Sequence, residues 1–274
     1  MLTANKVQKH YARSGLGNLV LSALEQSGKD LSKLLPSDLA PVDEFHIRGR
    51  KATIELAHVA GIRAGMSVLD IGSGIGGASR YIATEFGCHV TGLDLTEDYC
   101  QVAEMLTNMV NLSHLVNFRC GDALHMPFPD NCFDVVWTQH TAMNIPDKEK
   151  LYREMYRVLK PGGVLAIYDI LAGTVGPIHF PVPWSYGPDT SFLVTPDELC
   201  CLLKSSDFTI VTWKDTSDVA LKWFRNVMGT TIDNVERPLG LNVLMGDDYQ
   251  LKAHNQLLNL EENRVVVLQA TAVK

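Results

Sequence analysis

The absences in this 274-residue sequence narrow its function before any motif is read. Its six cysteines, Cys88, Cys100, Cys120, Cys132, Cys200 and Cys201, form no CxxC pair, and no histidine cluster stands at metal-ligand spacing. Neither a bound metal nor a disulfide framework is therefore expected, and the thiols read as space-filling groups of a reduced, cytoplasmic protein. Lysine and arginine number 24 against 31 acidic residues, a formal net charge of −7, with no local basic stripe to offset it. Such a surface repels a polyanion, so nucleic acid is not an expected partner. The opening MLTANKVQKHYARSG lacks the apolar core of a secretory leader. No apolar run approaches the roughly 18 residues that a span needs, so no membrane partner is expected.

What is present suits a globular α/β protein. Hydrophobic residues make up 46% and charged residues 20% of the chain, too apolar for disorder. From about Ser67 onward, short β-like runs alternate with amphipathic stretches, the pattern of a mostly parallel sheet covered by helices on both faces. The strands are expected at Ser67–Ile71, His89–Leu93, Val116–Cys120, Phe133–Thr138, Val164–Ile170, Phe208–Trp213 and Val265–Val273. Pro146 suits the first turn of a helix that Asp147 and Glu149 favour by charge, and Lys160-Pro161-Gly162-Gly163 stops it. Thr195-Pro196-Asp197-Glu198 reads as a capping box with proline at the first helical position. Residues 1–60 form an expected N-terminal helical lid segment. Residues 61–274 form the core with a helical insertion at 219–263, and the whole reads as a single domain.

The most informative run is Val68-Leu69-Asp70-Ile71-Gly72-Ser73-Gly74-Ile75-Gly76-Gly77. A buried strand ends in a loop whose glycines let backbone approach a ligand, and a helix then opens with free N–H groups. Gly72-x-Gly74-x-x-Gly77 also fits the dinucleotide fingerprint, so the loop alone suits an NAD-dependent oxidoreductase as well. The following strand ends discriminate. Asp94 closes the second strand, where a carboxylate can accept both ribose hydroxyls. Gly121-Asp122-Ala123 closes the third, placed to read an adenine edge. The fourth ends in Thr138-Gln139-His140. Polar groups at successive carboxyl edges describe the ligand crevice of an open α/β sheet.

Taken in order, DIGSGIGG, the acid of GLDL, the GDA turn, FDVVWTQ and LKPGG resemble the motifs of class I S-adenosylmethionine-dependent methyltransferases. Within that class the chain resembles the branch holding sarcosine/dimethylglycine N-methyltransferases, tocopherol and phosphoethanolamine methyltransferases, and sterol methyltransferases. Phe45-His46-Ile47-Arg48-Gly49-Arg50 and the ending Asn263-Arg264-Val265-Val266-Val267-Leu268-Gln269 are most similar to the glycine-betaine-forming members. The resemblance implies a seven-stranded, doubly wound sheet of order 3-2-1-4-5-7-6, last strand antiparallel. It implies S-adenosylmethionine as cofactor and S-adenosylhomocysteine as product. Gly72, Ser73 and Gly74 would meet the methionine and ribose portions, with Ser73 standing where relatives frequently carry cysteine. Asp94 and Leu95 would serve ribose and adenine, and Gly121, Asp122 and Ala123 the adenine edge. Gln139 would present backbone to the cofactor's amino group, and Tyr11 would close over it.

On the acceptor side, Trp184 and Tyr186 lie in the proline-rich loop after strand five, where their rings could hold a cationic group. Arg48 and Met143 are further candidate contacts. His140 reads equally as a structural residue and as a base. The expected reaction is N-methylation of a small glycine-derived amine. The alternatives are O- or C-methylation of a larger natural-product, sterol or quinol acceptor, an NAD-dependent oxidoreductase, and a non-catalytic cofactor-binding module. Against the oxidoreductase, no second mononucleotide-binding half follows strand four. The partner is a small-molecule acceptor, and both monomer and homodimer fit the sequence.

Overall fold

A computed structural model describes residues 2–230 and 239–274; residues 231–238, inside the expected helical insertion, lie outside the described residues. Four helices precede the sheet: α1 (Leu2–Tyr11), α2 (Leu16–Gln26), α3 (Pro36–Asp43) and α4 (Arg50–Ala60). The alternating part then runs β1 (Ser67–Ile71), α5 (Gly77–Phe86), β2 (His89–Asp94), α6 (Glu97–Met109), β3 (Val116–Cys120), β4 (Phe133–Gln139), α7 (Lys148–Val158), β5 (Leu159–Ala172) and α8 (Pro196–Ser205). It ends with β6 (Thr209–Asp215), α9 (Ser217–Thr230), α10 (Asn242–Met245), α11 (Tyr249–Glu261) and β7 (Val265–Val273).

The seven strands hydrogen-bond in the order β3-β2-β1-β4-β5-β7-β6, with β7 antiparallel to both neighbours. This is the expected doubly wound sheet. The strands of its centre read as near-continuous apolar runs because both faces are covered. Alternate side chains divide between two cores. Val68, Val135, Trp137, Ala166 and Tyr168 face α4, α5, α9 and α11. Leu69, Ile71, Val136, Leu165 and Ile167 face α7 and α8. A third cluster packs Leu16, Val20 and Leu24 of α2 and Leu39 of α3 on Leu106 of α6. Among the described residues, no helix is long and apolar enough to cross a membrane.

Local signals set the helix ends. Thr195 and Glu198 make both arms of the capping box, at 3.2 and 2.7 Å between side chain and backbone. Asp147 is the N-cap of α7, accepting from the Lys150 N–H at 3.0 Å, which leaves Pro146 one residue outside the helix. The Lys160–Gly163 turn begins β5 instead of closing α7, since Leu159 already pairs with Phe133. The β6 strand starts one residue later than expected and runs on to Asp215.

Candidate active site

The carboxyl ends of β1, β2, β3 and β4 open onto one cavity of about 1840 Å3. Gly72, Gly74 and Gly76 all take left-handed backbone, with φ of 71°, 55° and 89°. A Cβ on Gly72 would stand 2.1 Å from Thr141 Oγ1, whereas one on Gly74 would meet nothing within 4 Å. Gly72 is thus glycine because the β4–α7 loop presses on it, and Gly74 because the turn demands its φ and exposes bare backbone to the cavity. The Gly74 N–H donates to Asp94 Oδ2 at 2.9 Å, and the Thr96 N–H donates to Oδ1 at 2.8 Å. Asp94 therefore ties the glycine loop to the end of β2, and burial raises its pKa above the usual carboxylate range.

Beneath the loop, Asp70 is buried and accepts a 2.6 Å hydrogen bond from Ser79. Burial pushes its pKa up to about 7, because desolvation penalises the charged form more than one hydroxyl repays. Ser73 is buried with no partner for its hydroxyl among the described residues. Asp122 accepts from the Leu124 N–H at 2.8 Å, which holds the turn after β3. All ten candidate cofactor contacts, Tyr11, Gly72, Ser73, Gly74, Asp94, Leu95, Gly121, Asp122, Ala123 and Gln139, line this cavity. An exposed glycine backbone, an orphaned hydroxyl and two carboxylates at adjoining strand ends fit an adenosyl ligand with an amino-acid tail.

The N-terminal helices complete the wall. Tyr11 of α1 donates its hydroxyl to Asn144 Oδ1 at 2.9 Å, and Gln8 donates to the Leu95 carbonyl at 2.8 Å. The end of α3 is pressed on the first turn of α5, where a Cβ on Gly77 would stand 2.1 Å from the Asp43 carbonyl oxygen. A buried Arg80–Asp43 ion pair of 2.8 Å locks that contact. The chain leaving α3 thereby delivers Glu44 and His46 into the cavity. Glu44 is paired with Arg50 and accepts from Thr53 Oγ1 at 2.8 Å. His46 Nε2 donates to the Gly49 carbonyl at 3.1 Å and lies 3.4 Å from Glu44 Oε2. Burial outweighs the Gly49 hydrogen bond and the Asp43 charge and lowers the His46 pKa to about 4.

His140 follows β4 with φ of 49°, a conformation rare outside glycine. Its ring stacks on Tyr168, centroids 5.2 Å apart, and its Nε2 has no partner among the described residues. Burial, then the neighbouring His46, holds its pKa well below the ordinary value, leaving a neutral imidazole. Met143 and Trp184 also line the cavity. Trp184 is buried, with its indole N–H donated to Ser191 at 3.0 Å.

Two expected acceptor contacts lie elsewhere. Arg48 is buried against Glu55, to which its Nη1 donates at 2.9 Å, and it does not line the cavity. A guanidinium can be buried only when paired, and Glu55 lies one helical turn inside α4. Tyr186 is 58% exposed. Its ring is capped by the Lys252 ammonium at 4.4 Å and edged by His10 at 5.1 Å, so it clasps α1 to α11 outside the cavity. Sequence reasoning passed over Glu44, Thr141, Asn144, Trp223, Phe224 and Gln256, all of which line the cavity. Glu44 stands directly before the Phe45–Arg50 motif, Thr141 directly after Thr138-Gln139-His140 and Asn144 directly after Met143, whereas Trp223, Phe224 and Gln256 had no such neighbouring signal.

Comparison with known proteins agrees with this geometry. Residues 69–167 match the family model described as a methyltransferase domain. The chain is 34% identical to the sterol 24-C-methyltransferase of Aspergillus fumigatus over 183 residues, 64% of this chain and 48% of that protein. It is 35% identical to the glycine/sarcosine/dimethylglycine N-methyltransferase of Actinopolyspora halophila over 132 residues, 48% of this chain and 23% of that protein. The chain thus spans less than half the length of either relative. Among solved structures, phosphoethanolamine N-methyltransferase 2 of Haemonchus contortus with bound S-adenosyl-L-methionine superposes with a TM-score of 0.74. That match has 22% identity and covers 93% of this chain and 56% of that one, a likeness of fold.

Proposed function

The chain belongs to the class I S-adenosylmethionine-dependent methyltransferases, and on that premise we propose that it methylates an unsaturated carbon of a neutral, largely apolar acceptor of the sterol side-chain kind. The wall of the cavity away from the strand ends carries this reading. Trp184, Trp223, Phe224, Val243 and Leu244 line it, and among the described lining residues Arg13 is the only lysine or arginine. Arg13 is spent on the backbone carbonyls of Asn242 and Val243. A glycine-derived acceptor brings a carboxylate into this space, where Arg13 is the one cation among the described lining residues and already donates to two backbone carbonyls, while Asp94 adds a like charge; the carboxylate would be poorly compensated. Size argues the same way. A site for one drug-sized ligand measures roughly 300–1,000 Å3, and about 1840 Å3 suits the cofactor with a second ligand of comparable bulk. The sterol 24-C-methyltransferase likeness supports carbon as the acceptor atom, while the 35% identity to the glycine/sarcosine/dimethylglycine enzyme supports nitrogen as the second reading.

When bound, S-adenosylmethionine supplies an already activated methyl group. Gly72, Ser73 and Gly74 would hold its amino-acid and ribose portions, Asp94 the ribose hydroxyls, and Asp122 and Ala123 the adenine, with Tyr11 closing over them. The remaining task of the chain is alignment, which can lower a barrier by roughly 7–11 kcal/mol. An alkene that gains a methyl group carries a positive charge until a proton departs. Trp184, Trp223 and Phe224 offer ring faces to that charge, and Glu44 offers a nearby carboxylate. His140 Nε2, neutral and without a partner among the described residues, would take the proton as the C–H electron pair restores a double bond.

The test is tritium transfer from labelled S-adenosylmethionine to desmosterol, geranyl diphosphate, phosphoethanolamine and dimethylglycine, offered separately. Label in the organic extract of the desmosterol reaction is expected. Label in dimethylglycine with none in desmosterol would replace this reading by N-methylation.

A further inference from the structure

Gln256 stands apart from Asn255 and Asn259, the other buried amides of its helix. It is 1% exposed and lines the cavity, yet neither its Nε2 nor its Oε1 has a hydrogen-bond partner among the described residues. Asn255 and Asn259 on α11 are engaged in holding the loop after β5. Asn255 donates to the Pro181 carbonyl at 2.9 Å. Asn259 donates to the His179 carbonyl at 3.0 Å and accepts from the His179 N–H at 2.7 Å. A buried amide left without partners is costly, and native proteins rarely keep one without use. Tyr249, Ala253 and Gln256 share one face of α11 and all line the cavity. At 1.5 Å of rise per residue that stripe runs about 10 Å. Phe224 of α9 lines the same space. The stripe passes from an aromatic ring, over a small residue, to an amide that can both donate and accept.

We propose that Gln256 is the acceptor-recognition residue of this cavity, reading a hydroxyl group on an otherwise apolar acceptor. A hydroxyl accepts from Nε2 or donates to Oε1, so it satisfies the amide in either orientation; an ether can only accept, and a hydrocarbon does neither. The inference rests on the apolar-acceptor reading above and adds the polar feature such an acceptor must carry.

The experiment titrates the 274-residue protein, saturated with S-adenosylhomocysteine, with farnesol, farnesyl methyl ether and farnesene. Quenching of the cavity tryptophans Trp184 and Trp223 is the readout. Farnesol is expected to bind about tenfold more tightly than farnesene, with the ether between them. In Gln256→Met, of similar length and without polar atoms, the three should bind within about twofold of one another while S-adenosylhomocysteine affinity stays unchanged. Equal binding of all three to the unaltered protein overturns the assignment and needs no variant. A farnesol preference that survives Gln256→Met also overturns it. Failure of all three to bind sinks the apolar-acceptor reading itself, and this inference with it.

Discussion

The two halves of the cavity are built in opposite ways. The half at the strand ends consists of backbone and short side chains brought by consecutive elements: the Gly72–Gly77 loop, Asp94 two residues from the Thr96 N–H it accepts, and Asp122 two residues from that of Leu124. The other half is assembled from α1, the end of α3, the loops after β4 and β5, and α9 to α11, through contacts such as Tyr11 to Asn144 and Asn255 to Pro181. The first is fixed by local chain geometry and the second by packing. A fixed half suits an invariant ligand; a packed half can be reshaped for a particular acceptor.

The largest contrast is in acid–base behaviour. Asp70, on the strand-end side, has its folded pKa raised from 3.8 to about 7. Its contribution to stability is therefore full below the unfolded value and lost as pH rises through 7, by up to about 4 kcal/mol. Asp70→Asn should remove that loss, so thermal unfolding between pH 5 and 8 should be flatter than in the parent. A variant with the parent's slope would show that Asp70 does not cause it. His46, on the packed side, has its folded pKa lowered from 6.5 to about 4. It is stabilising above 6.5 and loses up to about 3 kcal/mol as pH falls toward 4. His46→Gln should flatten the acid limb alone, and flattening of both limbs would contradict the separation of the two halves.

Ligand binding sharpens the comparison next. Gly72→Ala drives a Cβ into Thr141 from a left-handed backbone, and calorimetry should record at least a hundredfold loss of S-adenosylhomocysteine affinity, about 3 kcal/mol. Gly74→Ala has room for its Cβ and bears only the backbone strain, so about tenfold is expected. Equal losses would mean that Thr141 yields. His140→Asn should lower kcat by about a hundredfold with cofactor-product affinity within a few fold of the parent. A kcat near the parent's would leave His140 as a strand-end structural residue. The smallest effect is expected for Trp223→Ala: KM for an apolar acceptor should rise about tenfold without change in S-adenosylhomocysteine binding. Loss of cofactor-product binding instead would break the division between the halves.

The sheet and its seven strands were readable because parallel strands covered on both faces leave apolar runs with glycine, proline and acidic punctuation. The bounds of β1, β3 and β7 coincide with those expected from sequence. The acceptor half was not readable in the same way. Arg48 read as a candidate acceptor contact, and folding gave it Glu55. Tyr186 looked like an acceptor contact because its loop follows β5, and folding turned it outward onto Lys252 and His10. Glu44 and His46 reach the cavity only because Asp43 is pinned by Arg80, 37 residues away in sequence.

By itself the sequence determined the strand-end geometry, since glycine, a strand terminus and an acid at fixed spacing constrain backbone wherever they occur. Tertiary structure alone decided which side chains face the acceptor. Burial, pairing and desolvation depend on distant segments meeting, and no spacing within one segment encodes whether a glutamine at position 256 finds a partner or lines the cavity with none among the described residues.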